Sequence, residues 1–179
     1  MAAETGISIR PYRVDDAAAL CEAASESGLE VHPFMPWCRS GLTVDELRRW
    51  IATQVLAFEA GKAYEFIILS EGGRFLGGCG LNQIDDLNHR ANLGYWVRSS
   101  ISGRGVATAA IQQLVQWAFT NTDLVRLEVV VSTRNTASLR TAEKAGAVRE
   151  GVLRRRLLLH GTWHDAVIFS FIRTDSRAG

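Results

Sequence analysis

The chain has 179 residues and a mass of 19.7 kDa, a size that one hydrophobic core commonly spans, so a single domain over residues 1–179 is expected. Hydrophobic residues make up 47% and charged residues 22%, with only three prolines, which excludes a disordered or collagen-like chain. Twenty Lys plus Arg against nineteen Asp plus Glu leave a net charge of +1, too small for a protein held to nucleic acid by bulk charge.

Residues 7–10 alternate apolar and polar and predict a strand, ended by Pro11 and the Asp15-Asp16 pair. An Ala-rich helix follows to about Ser25. Residues 32–38 form a loop with large side chains, among them Phe34, Met35 and Trp37. Thr43 and Glu46 have capping-box spacing. The helix they open places Leu47, Ile51, Val55 and Phe58 on one stripe and closes at Gly61. Residues 64–69 and 74–82 predict a hairpin through Glu71-Gly72-Gly73. A further strand spans 91–98, and a Gly/Ser turn spans 99–105. Val106, Ala110, Leu114 and Trp117 then mark the buried face of a helix ending near Thr120. The nearly continuous apolar run 125–131 predicts a strand covered on both faces. Residues 135–144 predict a short helix stopped by Gly146. Strands at 152–159 and 163–172 form a last hairpin through His160-Gly161-Thr162. This order predicts an α/β (α+β) domain, a mixed sheet of six or seven strands flanked by about four helices.

No apolar run is long enough to span a bilayer, and residues 1–10 lack the apolar core of a signal peptide, so neither membrane nor export is expected. Cys21, Cys38 and Cys79 are odd in number and have no CxxC spacing. They read as small buried hydrophobes in a reducing cytoplasm, with no zinc site.

The most informative stretch is Ser102-Gly103-Arg104-Gly105-Val106-Ala107-Thr108, where a strand gives way to a glycine turn and then a helix. The first turn of a helix leaves backbone N–H groups unpaired and carries the positive end of the dipole. Acidic residues normally favour that position, yet no Asp or Glu occurs from Leu87 to Thr122, while Arg90, Arg98 and Arg104 do. A phosphate-bearing ligand would supply the missing negative charge. The Walker A pattern fails for want of GK[ST]. The dinucleotide fingerprint fails because Thr108 stands where its third glycine belongs.

This turn resembles the (Q/R)xxGx(G/A) acetyl-CoA motif of the GNAT acetyltransferases. Further segments are similar to the branch that acetylates ribosomal-protein N-termini, the RimJ/RimL type: Ile9-Arg10-Pro11-Tyr12, Leu93-Gly94-Tyr95-Trp96-Val97, Asn135-Thr136-Ala137-Ser138, Glu143-Lys144-Ala145-Gly146, Glu150-Gly151-Val152-Leu153-Arg154 and Gly161-Thr162-Trp163-His164-Asp165. The resemblance implies a GNAT fold, mostly antiparallel, whose sheet splays between the strand at 91–98 and the strand at 125–131. Pantetheine would lie in that notch, bonded to backbone groups of Trp96, Val97 and Arg98. Ser102, Gly103, Arg104, Gly105, Val106, Ala107 and Thr108 would hold the pyrophosphate. Asn135 would touch acetyl-CoA, and Ser138 would face its sulfur as the general acid. No metal is implied. Two positions depart from the pattern: Ser102 replaces the usual Gln or Arg, and Asn92 stands where the branch often has Glu.

The implied reaction is attack of a neutral amine on the thioester, most simply with a protein or peptide N-terminus (possibly ribosomal) as acceptor. Alternatives are a small-molecule amine, such as an amino acid, polyamine or antibiotic, and a non-catalytic acyl-CoA sensor. Phe34, Trp37 and Asn92 are candidate acceptor contacts. Asp85 and His89, beside Asp86, are candidate proton acceptors, although Asp in such a turn also suits local hydrogen bonding. Ser138 has a second reading as the N3 residue of a helix capped by Asn135. His32, His160 and His164 have no metal-ligand spacing, and Trp50 and Trp117 are expected to pack in helix faces. Arg154-Arg155-Arg156 reads as a strand edge blunted by charge, with alternation turning Arg155 away from its neighbours. Either a monomer or a homodimer is compatible with these features.

Overall fold

A computed structural model describes residues 6–174 of the chain. The expectation about a leader therefore rests partly on residues outside the described ones. The elements are β1 (Ile7–Pro11), a 3-10 turn (Val14–Asp16), α1 (Ala17–Val31), α2 (Val44–Glu59), β2 (Tyr64–Ser70), β3 (Phe75–Asp85) and β4 (Arg90–Val97). A second 3-10 turn (Ser99–Ile101) leads to α3 (Val106–Asn121), β5 (Arg126–Ser132), α4 (Thr136–Lys144), β6 (Val148–Leu159) and β7 (Thr162–Ile172). All seven strands form one sheet in the order β1-β2-β3-β4-β5-β7-β6, antiparallel except where β4 meets β5. Among the described residues, no helix is long and apolar enough to cross a membrane.

The sheet separates two apolar layers. On one face Phe66, Leu76, Leu81 and Leu93 pack against Ile111, Leu114 and Ala118 of α3. On the other, Ile67 and Trp96 pack against Leu20 of α1 and Leu47 and Ile51 of α2. Alternation along β2 sends Phe66 and Ile68 to the first layer and Ile67 to the second. Trp117 joins the first layer through ring contacts with Phe58, Tyr64 and Phe66. The capping box at α2 is present in both directions: Thr43 Oγ1 accepts the Glu46 N–H, and Glu46 accepts the Thr43 N–H at 2.9 Å.

Three elements differ from expectation. α1 runs past Ser25 to Val31, because Leu29 and Glu30 sustain it beyond Gly28 and Pro33 is the first residue that cannot continue it. β5 is not covered on both faces: Leu127, Val129 and Val131 are buried, while Arg126, Glu128 and Val130 are only half-buried. Polar residues inside the apolar run had marked that second face. In β6 the register slips between Leu153 and Leu157, and Arg155 takes φ 47°. Arg154, Arg155 and Arg156 are therefore all exposed in a bulge instead of alternating, with the Arg155 N–H held by Asp165 at 2.8 Å.

Candidate active site

The site begins where the sheet fails to close. β4 and β5 pair only at Arg90–Arg126, Ala91–Leu127 and Asn92–Glu128; beyond that they part. Residues 93–97 keep β3 on one side and have no strand on the other. Backbone groups point alternately to the two sides of a strand. Arg98 gives its N–H to the Leu76 carbonyl at 2.8 Å, so Trp96 also turns its backbone to β3, and Tyr95 and Val97 turn theirs into the gap. The backbone expectation is corrected accordingly: Val97 faces the gap together with Tyr95, and Trp96 and Arg98 do not.

Arg98 has another task. Its carbonyl accepts the Ile101 N–H, and its side chain is only 2% exposed. Nε donates to the Phe75 carbonyl at 2.6 Å, and Nη1 meets Glu22 at 2.9 Å and Glu26 at 2.7 Å. Glu26 also accepts the Ser100 N–H at 3.1 Å, and Ser27 Oγ accepts the Ser99 N–H at 3.2 Å. Arg98 and α1 thus hold the start of the glycine turn from behind.

Beyond them Ser102, Gly103, Arg104 and Gly105 are exposed. Gly103 and Gly105 adopt φ 78° and 83°, a left-handed conformation that side-chain-bearing residues rarely take. No side chain caps α3, and no acidic residue lies in its first turn. A Cβ at either glycine would meet nothing within 4 Å, so the turn faces open space. Val106 is buried and anchors α3, leaving only its backbone available, while Ala107 and Thr108 are half-buried. Unpaired first-turn N–H groups, the helix dipole and Arg104 together suit a pyrophosphate.

Across the gap, Asn135 caps α4 by accepting the Ser138 N–H at 3.1 Å. Ser138 is thus the N3 residue of a capped helix, and its hydroxyl is also part of the gap. Tyr95 Oη and Ser138 Oγ are hydrogen-bonded at 2.8 Å, and the Tyr95 hydroxyl also reaches the Ser138 carbonyl at 3.0 Å. Burial pushes the Tyr95 hydroxyl up to about 12, so it keeps its proton.

The opposite face of the sheet opens into a cavity of about 630 Å³ beneath α1 and α2. Tyr12 and Trp50 wall it on one side, with ring centroids 5.3 Å apart, and Trp37 and Trp96 on another, 5.4 Å apart. Its floor is a row across three strands: Glu65 opposite Gly80, and Gly80 opposite Gly94. A Cβ at Gly80 would overlap the Glu65 carboxylate, so the glycine makes room for it to lie over β3. Asn82 Nδ2 donates to Glu65 Oε1 at 3.4 Å, and Asn92 Nδ2 donates to Asn82 Oδ1 at 2.9 Å. Burial raises the Glu65 carboxyl to about 7, only partly offset by the Asn82 hydrogen bond.

The other expected site residues separate. Trp37 lines the cavity, but Phe34 does not, and Met35 takes its place. Asn92 acts on the cavity through Asn82. Trp50, expected to pack in a helix face, is a cavity wall. Asp85 and His89 lie at the closed end of β4, and His89 is five residues, about 16 Å along an extended strand, from Gly94. Asp85 is saturated by the N–H groups of Leu87 and Asn88, the Asn88 side chain and Arg90. Those bonds, first from Asn88 and then from Arg90, hold its carboxyl below the usual range. It is a turn-stabilising residue, and neither it nor His89 faces the cavity. Glu65 escaped the sequence reading, although a lone carboxylate inside the apolar run Tyr64-Glu65-Phe66-Ile67-Ile68-Leu69 was a signal.

Residues 7–148 match the family model described as acetyltransferase (GNAT) domain. The chain is 30% identical to the uncharacterized N-acetyltransferase p20 of Bacillus licheniformis over 94% of each protein. It is 26% identical to the ribosomal-protein-serine acetyltransferase of Escherichia coli, over 76% of this chain and 75% of that one. Among solved structures, Mycobacterium smegmatis RimJ in complex with CoA-disulfide superposes with a TM-score of 0.88 at 26% identity, covering 99% of this chain and 86% of that one. An open notch in a mostly antiparallel sheet, a bare glycine turn at the head of α3 and a match along most of the chain converge, and the chain belongs to the GNAT family of acetyltransferases.

Proposed function

We propose that the protein moves the acetyl group of acetyl-CoA to a primary amine, with the N-terminal α-amine of a protein as acceptor. One observation carries this reading: the gap beside β4 is flanked by the Tyr95–Ser138 hydroxyl pair on one face of the sheet and by the cavity on the other. The turn from Ser102 to Thr108 would hold the pyrophosphate, and backbone groups of Tyr95 and Val97 the pantetheine amides, with Asn135 keeping the head of α4 in place. Acetyl-CoA supplies the activated thioester. Ser138, kept in place by Tyr95, donates a proton toward the sulfur, and the cavity orients the amine. Much of the acceleration comes from holding the two reactants together. The name of the ribosomal-protein-serine acetyltransferase relative supports a protein acceptor, and three free cysteines suit a reducing cytoplasm.

Calorimetric titration with acetyl-CoA, followed by turnover on tetrapeptides beginning with Ser, Ala or Met, tests the reading. Absence of binding by the folded protein would overturn it. The half-open aromatic cavity favours a second reading, a small-molecule amine, since its volume lies in the range of ordinary ligand pockets. Turnover of spermidine or free amino acids with none of the peptides would select it. Turnover of any amine eliminates a non-catalytic acyl-CoA sensor.

Ser138→Ala is expected to lower kcat about 10–100-fold while changing KM for acetyl-CoA less than threefold, as for loss of an acid acting in the transition state. An unchanged kcat would remove Ser138 from the chemistry and leave it the N3 role alone.

A further inference from the structure

Asp85 and His89 lie away from the cavity, and Asp85 is consumed by its own turn, which leaves the amine in need of another proton acceptor. Building on the acetyl-transfer reading above, we infer that Glu65 on β2 is that acceptor, taking the proton directly from the incoming ammonium, with Asn82 and Asn92 as positioning residues.

Geometry comes first. Glu65 projects from the cavity floor, across Gly80 and in line with Gly94, where β4 borders the gap. A side chain at residue 80 would displace the carboxylate from where it lies, so the glycine leaves this place open to it. Asn92 fixes the Asn82 amide by holding its oxygen, which turns the Asn82 nitrogen toward Glu65. Glu65 and Ser138 lie on opposite faces of the sheet with the gap between them. One group can therefore take a proton while the other gives one, without meeting each other.

The chemistry balances. The substrate enters as an ammonium, attracted by the carboxylate, into a cavity walled by Tyr12, Trp37, Trp50 and Trp96. Glu65 takes one proton, which frees the nitrogen lone pair. That pair forms the new C–N bond as the C–S bond breaks. The nitrogen's second proton ends on the sulfur, with Ser138 as the intermediary, and Glu65 later returns its own proton to water. Apolar walls raise the basicity of Glu65, so near neutrality a large share of it is ionised and basic enough to take the proton.

The other titratable groups around it do not compete. Tyr12, after β1, and Cys79, on β3, are both raised by burial and keep their protons. Arg39 and Glu46, at the cavity rim, pair with each other at 2.6 Å, and Tyr95 faces the gap from the far side.

The test is Glu65→Gln, with acetyl transfer measured on the Ser, Ala and Met tetrapeptides and on spermidine. At pH 7, kcat/KM is expected to fall about 100-fold or more, with acetyl-CoA affinity within twofold of the parent. The parent profile rises through an inflection near pH 7, where Glu65 ionises, and Glu65→Gln loses that inflection. Asn82→Leu removes a hydrogen bond that favours the ionised form, so its inflection moves upward. Activity of Glu65→Gln within threefold of the parent, or an unchanged profile, overturns the inference. Should the parent bind acetyl-CoA but acetylate none of these amines, the protein-acceptor reading fails separately. Infrared difference titration of the parent against Glu65→Gln then decides Glu65 by itself: a carboxyl that ionises near pH 4 overturns the assignment, and one that ionises near pH 7 sustains it.

Discussion

Gly103→Glu is expected to weaken acetyl-CoA binding about 100-fold or more while the protein remains folded. No atom lies within 4 Å of the Cβ position, so the substitution needs no repacking. A left-handed φ of 78° costs a side-chain-bearing residue about 1–2 kcal/mol. That strain is present in the free and the bound protein alike, so it lowers stability and not affinity. Affinity falls because a carboxylate then sits at the anion site. At about 6 Å and an effective dielectric constant of about 20, one unit of like charge costs roughly 3 kcal/mol, a factor of about 100 in Kd. Gly103→Ala carries the same strain without the charge and is expected to bind within about threefold of the parent. Calorimetry on the three proteins separates the two effects. Equal affinities for Glu and Ala at this position would place the pyrophosphate elsewhere.

Arg98→Met is expected to destabilise the fold by about 2–3 kcal/mol, a fall in Tm of roughly 4–12 °C for a chain of this size. Glu22 is exposed and Glu26 partly so, and both carboxylates can rehydrate when the guanidinium is gone. The larger penalty is the Phe75 carbonyl, left without its 2.6 Å donor in a buried site. The cluster also sets an acid limit. Glu26 is lowered from 4.5 to about 2, first by its bond with Ser100 and then by Arg98. A depressed carboxyl stabilises the fold fully above its unfolded value and loses that contribution as pH falls through its folded value. The loss therefore runs between about pH 4.5 and pH 2 in the parent, and it is smaller in Arg98→Met. Thermal melts across this range read both effects. A Tm within 2 °C of the parent at pH 7 would show that the buried bonds contribute little.

Local chemistry carried most of the fold into view. The Thr43–Glu46 box, the Glu71-Gly72-Gly73 turn and the helix stripe through Val106, Ala110 and Leu114 each act over a few residues, and each appears where expected. The glycine turn was equally legible, because a helix start bare of acidic residues is a property of one short stretch. The cavity was not. Glu65, Asn82 and Asn92 lie on three strands, and their union depends on pairing registers that no window of sequence contains. Asp85 and His89 drew attention as titratable residues in a turn, and the turn itself consumes Asp85. The resemblance implies a place for the Arg98 backbone in the gap, just past the end of β4. Which side its backbone faces depends on the alternation of bonds to β3, and hence on Leu76.

With three residue pairs joining β4 to β5, this sheet divides into two panels that meet at one end. A sheet normally shares strain through continuous rungs, and here the rungs stop at Asn92. A slender chain seated between the panels would restore them and couple the two halves mechanically. The amides of Tyr95 and Val97 should then exchange with deuterium far more slowly once acetyl-CoA is bound, while those of Trp96 and Arg98, already turned toward β3, should change little. Uniform slowing at all four would mean general tightening of the protein instead of a restored rung at every second residue.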